Sequence, residues 1–183
     1  ESTPGWEALL FENRKLLEDS ADRYNFVKDE AKLSVDGNPN KTVELPLHPH
    51  LDHGVRKVKV GKEFFLASVD AIQLKEGEII RLKDAFNVQI TSLNPLAGKY
   101  AGEKLVESKK LQWVSGEKGE FDSITVLKPG ELVDENEEFR TDSLITDTGV
   151  CEKSALNLKQ GSVIQFTRYG FVRLDDAKNK VFF

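Results

Sequence analysis

The stretch Arg56-Lys-Val-Lys-Val60-Gly-Lys-Glu63-Phe-Phe-Leu-Ala-Ser-Val69 contains two short runs typical of β-strands, separated by the turn Gly61-Lys62. Similar runs recur from Thr42 onward, with turn residues between them and no long helical segment. Many short strands at such spacing predict antiparallel barrels, and there are more runs than one small barrel needs. The further runs are Glu78-Ile-Ile-Arg-Leu82, Asn87-Val-Gln-Ile-Thr91, Leu111-Gln-Trp-Val114, Ser123-Ile-Thr-Val-Leu127 and Ser162-Val-Ile-Gln-Phe-Thr167.

The first 40 residues follow a different pattern. Apolar residues recur near helical spacing between Trp6 and Lys32, without an internal proline or glycine, so this segment is predicted to be helical. The turn signal Asp36-Gly-Asn-Pro-Asn40 ends the segment. We therefore expect a mainly β fold, with two antiparallel β-barrels after a short N-terminal helical segment.

Composition limits the class of protein. The 183 residues are 39% apolar and 31% charged, as in globular proteins, and no apolar run approaches the ~20 residues that cross a bilayer. A single cysteine, Cys151, excludes an intramolecular disulfide framework and fits a reducing compartment, so a cytoplasmic location without membrane contact is expected. The sequence contains no methionine, and we expect it to begin inside a longer protein.

Charge is distributed unevenly along the chain. The net charge of −5 argues against a simple basic nucleic-acid binder. Residues 116–152 hold 11 acidic and 3 basic side chains, however, whereas residues 41–115 and 153–183 carry an excess of basic ones. The acidic run Glu131–Glu138 is most simply a solvated loop. This local acidity does not exclude a polyanionic partner at the basic segments elsewhere on the surface.

A C-terminal stretch, Gly161–Asp175, is rich in side chains that bind nucleic acid. It holds two arginines, a glutamine and three aromatic residues. As a ribbon it would place Gln165, Thr167 and Tyr169 on one face, with Phe166, Arg168 and Gly170 on the other. Glutamine and arginine suit the hydrogen-bonding edges of bases, and an aromatic ring suits stacking with an unpaired base. An amphipathic edge strand with solvated polar residues is the alternative interpretation.

Several motifs follow one another along the chain. They are Asn13-Arg-Lys-Leu-Leu17, Asp22-Arg-Tyr-Asn-Phe-Val27, His48-Pro49 with Gly54-Val-Arg56, Val69-Asp-Ala71, Glu76-Gly-Glu-Ile-Ile-Arg-Leu82, Asn87-Val88, Lys109-Lys-Leu-Gln-Trp-Val114 and Gln165-Phe-Thr-Arg-Tyr-Gly-Phe171. In this order they resemble the C-terminal anticodon-binding region of the class I glutamyl- and glutaminyl-tRNA synthetases, in the archaeal and eukaryotic style. The resemblance extends from about Trp6 to Asp175.

The resemblance implies a domain organisation and a partner. Residues 1–40 would be a helical connector from a catalytic domain N-terminal to Glu1, residues 41–96 with 156–183 the proximal barrel, and residues 97–155 the distal barrel. The barrels would bind the anticodon loop of tRNA. The parent enzyme would use ATP and Mg²⁺ to attach glutamate to tRNA(Glu), and this fragment would hold no cofactor. A glutaminyl enzyme is the alternative.

The resemblance also assigns roles to individual side chains. Arg56, Gln165 and Arg168 would contact bases, and the lysines would line the loop. Thr167 stands where the family has glutamate, so a contact that needs a carboxylate is not carried over. Arginine and glutamine recognise base edges by their hydrogen-bond pattern, whereas lysine neutralises phosphates without choosing a sequence. The implied anticodon-binding residues are Arg56, Lys109, Lys110, Gln112, Gln165, Thr167 and Arg168.

Two further interpretations stay open. His48, His50, Asp52 and His53 lie within six residues and include every histidine of the chain, which could indicate a metal site in a small barrel enzyme. A protein-interaction barrel without an RNA role is favoured by the acidic net charge. No catalytic residues are assigned, because the synthetase activation motifs, a Ser/His/Asp order, a phosphate loop and paired cysteines are all missing from the sequence. Cys151 has acidic neighbours and is predicted to be an unreactive thiol.

Overall fold

The computed structural model describes residues 6–134, 136 and 138–183. Strands dominate this part of the chain, as the short runs predict. The predicted runs lie on strands whose bounds differ by a few residues, except that Leu111–Val114 joins the end of one strand to the start of the next. In chain order the elements are α1 (Trp6–Leu17), β1 (Arg23–Tyr24), β2 (Phe26–Lys28), β3 (Glu30–Asp36), β4 (Lys41–Pro46), β5 (Val55–Val60), β6 (Glu63–Ala67), α2 (Ser68–Ala71), β7 (Ile79–Leu82), β8 (Asn87–Leu93), β9 (Leu96–Tyr100), β10 (Lys109–Leu111), β11 (Val114–Ser115), β12 (Phe121–Pro129), β13 (Leu144–Glu152), α3 (Lys153–Leu156), β14 (Val163–Phe166), β15 (Gly170–Asp176) and β16 (Val181–Phe182).

Two seven-stranded, barrel-like sheets and one two-stranded ribbon make up the fold. The first sheet has the order β10-β7-β8-β9-β3-β6-β11, and the β4–β5 ribbon packs on it. Its core contains Trp113, Phe64 and Phe86, which make edge-to-face contacts, together with Val43 and Val58 from the ribbon. Buried alternate positions on each strand supply this core, which is the period-2 pattern of a half-buried strand.

The second sheet has the order β1-β14-β15-β16-β12-β13-β2. Phe166 is at the centre of its core and lies 5.1 Å from the ring of Phe26 and 5.0 Å from that of Phe182. Strand β2 pairs with β13, where Gly149 faces Val27 and Phe26 so closely that a Cβ atom at Gly149 would overlap them. Glycine is therefore required for this pairing.

A small third core joins the two sheets. Val27, Val114 and Val150 are buried together, and the rings of Phe65 and Phe121 meet at 4.8 Å beside them. The chain itself also ties the sheets, because β2 belongs to the second sheet and β3, which follows after one residue, belongs to the first. These contacts fix the position of one sheet relative to the other.

The helical prediction for Trp6–Lys32 was wrong beyond Leu17. Helix α1 ends there, and residues 23–36 form strands β1 to β3. The physical reason is the burial pattern: Tyr24 and Phe26 are buried, whereas Arg23 and Asn25 are only partly so, which is the alternation of a strand. The leucines before residue 18 recur at helical spacing, but this spacing does not continue through residues 23–36.

Strand pairing groups the chain differently from the expected ranges 41–96 with 156–183, and 97–155. Strands β9 to β11 lie in the first sheet, whereas β14 to β16 share the second sheet with β12 and β13, and β16 pairs with β12. Parallel pairs, such as β1 with β14 and β3 with β9, join segments far apart in sequence. Such contacts leave no signal in local sequence periodicity, which is why the boundaries could not be deduced from it.

Some expectations concern residues outside the described part of the chain. The part of the chain that the structure does not describe includes residues 1–5 of the expected connector and Glu135 and Glu137 of the acidic run. Two described residues of the acidic run, Glu131 and Glu138, are exposed. No helix among the described residues has the length and apolar character needed to cross a membrane.

Candidate nucleic-acid interface

A cleft of about 190 Å³ opens between the two sheets and the β4–β5 ribbon. Three of the seven predicted site residues converge on it. Arg56 comes from β5, Gln112 follows β10, and Thr167 follows β14. The lining residues are Arg23, Asn25, Leu45, Pro46, Pro49, Arg56, Lys83, Asp84, Gln112 and Thr167.

Arg56 forms a buried ion pair at the cleft wall. Its Nε donates to Oε2 of Glu152 at 2.5 Å, and its Nη2 donates to Oε1 at 3.0 Å. Its Nη1 donates to the carbonyl oxygen of Pro46 at 2.6 Å, and its guanidinium lies 5.5 Å from the ring centroid of Tyr24. Because three of the five N–H groups of an arginine are thus engaged, two remain for a ligand. Arg56 therefore has a structural role, because its side chain connects the β4–β5 ribbon to β13.

Gln112 carries an acceptor atom without a partner. Its side chain is buried, and its Nε2 donates to Oδ1 of Asn25 at 2.7 Å. Asn25 is held in turn, because its Nδ2 donates to the carbonyl oxygen of Trp113 at 3.0 Å and its backbone N–H to Glu152. The Oε1 atom of Gln112 is buried and has no hydrogen bond within the described part of the chain. Buried polar atoms usually have partners, so this atom can accept a hydrogen bond from a group that enters the cleft.

Arg23 carries the matching unpaired donor. Its Nη2 donates to Oε1 of Glu18 at 2.7 Å, while its Nε is buried and unbonded among the described residues. Thr167 lies nearby, since its backbone N–H and its hydroxyl both point to the carbonyl oxygen of Tyr24, at 3.1 and 3.4 Å. Among the described residues, the cleft lining thus includes a buried, unbonded donor on Arg23 and a buried, unbonded acceptor on Gln112.

Gln165 lies next to the cleft. It is paired in register with Arg23 on the neighbouring strand β1, and it is partly exposed. Its side chain shares a strand face with Val163, so it projects on the outer side of the second sheet rather than into the core. Gln165 is therefore near the other predicted base readers but does not line the cleft.

Arg168 is turned away from the cleft. Residues 167–169 form the turn of the β14–β15 hairpin, and Arg168 has φ of +65°, so the predicted strand alternation ends at Phe166. The guanidinium forms a bidentate ion pair with Asp70, with Nη1 donating to Oδ2 at 2.8 Å and Nη2 to Oδ1 at 3.2 Å. The predicted face shared by Gln165, Thr167 and Tyr169 is consequently wrong.

Tyr169 packs inside the second sheet instead of offering an open stacking surface. Its ring lies 5.0 Å from that of Phe26, and its hydroxyl donates to Oδ2 of Asp147 at 2.7 Å. Asp147 also accepts from Lys28 and Lys128, each at 2.7 Å. Burial disfavours the charged form of Asp147, but these three donors outweigh it and hold its pKa well below the usual range. Burial, followed by the bond to Asp147, raises the pKa of Tyr169.

The two lysines lie side by side on β10, both exposed. Lys109 forms an ion pair with Glu78 at 3.0 Å and donates to the carbonyl oxygen of Gln73 at 3.3 Å. The hydrogen bond from Lys109 lowers the pKa of Glu78. Lys110 points to the other side of the strand. Both can face phosphates, with Lys109 already partly neutralised.

The histidine cluster is a hydrogen-bonded structure rather than a metal centre. His48 accepts at Nδ1 from the backbone N–H groups of His50 (3.2 Å) and Leu51 (2.9 Å), and its Nε2 lies 2.9 Å from the carbonyl oxygen of Glu18. His53 Nδ1 lies 2.8 Å from Asp22. Both ring nitrogens of His48 are thus occupied. Within the described ranges no three His, Cys, Asp or Glu side chains are placed to hold a metal ion.

Comparison with known protein families agrees with this geometry. Two models described as "tRNA synthetases class I (E and Q), anti-codon binding domain" match the chain, one over residues 21–104 and the other over residues 110–175. The chain belongs to this anticodon-binding family. Residues of both matches border the cleft, Arg56 from the first and Gln112 and Thr167 from the second.

Curated relatives of this anticodon-binding chain are named glutamate–tRNA ligase. The proteins from Pyrococcus abyssi and Methanocella arvoryzae are 34% and 36% identical over 98% and 96% of this chain. The protein from Nitrosopumilus maritimus is 33% identical over 97% of it. This chain spans about 30% of the length of these relatives.

Four polar residues of the cleft lining were not predicted as site residues from the sequence: Arg23, Asn25, Lys83 and Asp84. Arg23 and Asn25 lie in the segment that was predicted to be helical. The alternation Arg23-Tyr24-Asn25-Phe26 is itself a strand signal and would have placed the two polar side chains on one face. Lys83 and Asp84 lie in the turn after β7, and the sequence carries no signal that links that turn to the cleft.

Proposed function

We propose that the cleft between the two sheets holds an unstacked base of a tRNA anticodon loop, within a parent enzyme that attaches glutamate to tRNA(Glu). The observation that carries this proposal is the pair of buried, unbonded atoms at the cleft, Oε1 of Gln112 and Nε of Arg23. A base edge offers both N–H donors and carbonyl or ring-nitrogen acceptors, so it can satisfy both atoms. Leaving either unpaired costs free energy, which favours binding of a matching edge.

The surroundings of the cleft suit a single-stranded polyanion. Lys83 lines it, and Lys109 and Lys110 lie on the adjoining strand. These cations supply salt-dependent affinity for phosphates, while Arg23 and Gln112 supply discrimination between bases. Gln165 lies next to the cleft and contacts a neighbouring base. Arg168, which is turned toward Asp70, contacts a further base after exchanging that carboxylate for a base edge. Arg56 supports the wall and keeps two N–H groups for the ligand.

The remaining roles belong to the parent protein. Helix α1 connects these sheets to a catalytic domain, which supplies ATP and Mg²⁺ chemistry. Glutamate rather than glutamine is proposed as the amino acid because the relatives that match nearly the whole chain carry the name glutamate–tRNA ligase.

Titration with RNA tests the proposal. The chain is titrated with an anticodon stem-loop of tRNA(Glu) and with the same stem carrying a scrambled anticodon, at several salt concentrations. The cognate stem-loop should bind more tightly. Gln112→Met, which removes the free acceptor at similar volume, should weaken cognate binding by about 1–3 kcal/mol and leave scrambled binding nearly unchanged.

Gln89→Met is the matched control, because Gln89 is exposed on β8 and does not line the cleft. It should bind both stem-loops as the parent chain does. Equal affinity of the parent chain for cognate and scrambled stem-loops, or no salt dependence at all, would rule out anticodon recognition by this cleft.

A further inference from the structure

The side-chain amide of Gln112 can in principle be turned in two ways. An amide oxygen accepts hydrogen bonds and an amide nitrogen donates them, and a rotation of about 180° exchanges the two with almost no change in shape. The orientation therefore decides whether Gln112 offers an acceptor or a donor to the cleft. In the structure Nε2 of Gln112 bonds to Asn25 at 2.7 Å, and the buried Oε1 is the atom without a partner among the described residues.

A chain of hydrogen bonds that ends at a backbone carbonyl sets this orientation. Nδ2 of Asn25 donates to the carbonyl oxygen of Trp113 at 3.0 Å. Because a backbone carbonyl only accepts, Asn25 must turn its nitrogen toward Trp113 and its oxygen toward Gln112. That oxygen also only accepts, so Gln112 must turn Nε2 toward Asn25. Oε1 of Gln112 is thus fixed as an acceptor by a backbone group that cannot reverse its role.

Both ends of this chain of bonds are held firmly. Trp113 is 1% exposed, and its indole N–H donates to the carbonyl oxygen of Lys83 at 2.9 Å. The backbone N–H of Asn25 donates to Glu152 at 3.0 Å, and Glu152 is held in turn by Arg56. Asn25 lies between β1 and β2 of the second sheet, whereas Trp113 lies between β10 and β11 of the first. The packing of the two sheets therefore sets the orientation of the amide.

We propose that Asn25 is a positioning residue, which holds Gln112 so that only a base with an N–H toward Oε1 is accepted. This inference rests on the proposed function and adds the hydrogen-bond pattern that the cleft selects. Cytosine has an amino donor and a ring-nitrogen acceptor where uracil has a carbonyl acceptor and a ring N–H donor. A fixed acceptor therefore pairs with one pyrimidine and meets a second acceptor on the other. Asn25 contributes to this choice through Gln112.

Exchange of single pyrimidines in the anticodon stem-loop of tRNA(Glu) tests the positioning role. Each anticodon pyrimidine is exchanged in turn, cytidine for uridine or the reverse, and the ratio of original to exchanged affinity is measured. The position that Gln112 reads is the one where Gln112→Met removes the preference. There the parent chain should prefer the original base about 5- to 100-fold, the effect of leaving a buried acceptor unpaired.

Asn25→Ala should bring the ratio at that position close to one, because the amide of Gln112 can then turn either atom to the base. The ratios at the other anticodon positions should persist, whereas a general loosening of the fold would lower all of them. Asn25→Asp keeps an oxygen toward Nε2 of Gln112 at nearly the same volume, so it should retain most of the parent ratio.

Asn38→Ala is the matched control. Asn38 is half-buried and also donates from Nδ2 to a backbone carbonyl, that of Gly61, but it does not line the cleft. Its variant should keep the parent ratio at every position. A full ratio in Asn25→Ala, or its loss in Asn25→Asp, would overturn the positioning role and leave the cleft proposal intact. If Gln112→Met removed the preference at no position, the proposed function itself would fall.

Discussion

Arg56 and Glu152 face each other as a bidentate ion pair, with side chains only 9% and 3% exposed. The pair joins β5 of the ribbon to the end of β13 and forms part of the framework of the cleft. Glu152 also accepts from the backbone N–H of Asn25 at 3.0 Å, and Asn25 orients Gln112. A residue that resemblance assigns to base reading is therefore also a structural tie, and the two roles can be separated by experiment.

Arg56→Ala should lower the free energy of unfolding by about 3–5 kcal/mol, because it leaves the carboxylate of Glu152 buried and unpaired. The double variant Arg56→Met with Glu152→Gln should recover part of this loss, since no uncompensated buried charge remains. Chemical denaturation of the single and double variants measures both effects. A loss below 1 kcal/mol in the single variant would show that Arg56 serves the ligand rather than the fold.

Lys110→Ala should reduce the slope of log affinity against log salt by about one for either stem-loop, since one phosphate contact is lost. Lys109→Ala should reduce the slope less, because Glu78 already neutralises part of the charge of Lys109. Titrations of the anticodon stem-loop over a range of salt concentrations measure both slopes. An unchanged slope for Lys110→Ala would mean that β10 does not face the RNA backbone.

Arg168→Lys separates charge from hydrogen-bond geometry. Lysine keeps the positive charge but lacks the planar fork that binds a base edge or a carboxylate at two points. We expect the salt slope to persist while the ratio of cognate to scrambled affinity falls about 5- to 100-fold, the range for one bidentate base contact. An unchanged ratio would identify Arg168 as a phosphate anchor.

The carboxylate of Asp147 should make the free energy of unfolding depend on pH. The pKa of Asp147 is lower in the folded chain than in the unfolded chain, where it is about 3.9. The stabilisation by ionised Asp147 is therefore fully present above about pH 3.9, and it is lost as the pH falls toward the pKa of the folded state. Asp147→Asn should cost about 1–3 kcal/mol at pH 7, through weakened bonds to Lys28, Lys128 and Tyr169. The difference from the parent should shrink as pH falls below 4.

Urea unfolding at pH 7, 4 and 3 (roughly the window set by the two states) measures this difference. Asp19→Asn is the matched control, because Asp19 is exposed, and its variant should track the parent throughout. A gap between parent and Asp147→Asn that stays constant from pH 7 to 3 would contradict the depressed pKa.

The candidate site was predicted only in part, and the reason differs from residue to residue. Arg56, Gln112 and Thr167 lie far apart in sequence but line one cleft, as the family resemblance implies. Arg168 lies outside the cleft lining, because a positive φ in the hairpin turn directs its side chain toward Asp70, and its base contact stays a prediction. Arg23 was missed, because the alternation Arg23-Tyr24-Asn25-Phe26 was interpreted as a continuation of the preceding helix.

By itself the sequence determined the mainly β character of the chain, the positions of most strands and the family to which its motifs point. These are local properties: alternation of apolar residues, turn residues and ordered motifs all act over a few positions. Only the tertiary structure decided which strands share a sheet, that Arg56 is buried against Glu152, and that Gln112 and Arg23 keep unpaired atoms beside one cleft. Pairing between distant strands and satisfaction of hydrogen bonds depend on contacts across the whole chain, and local pattern carries no record of them.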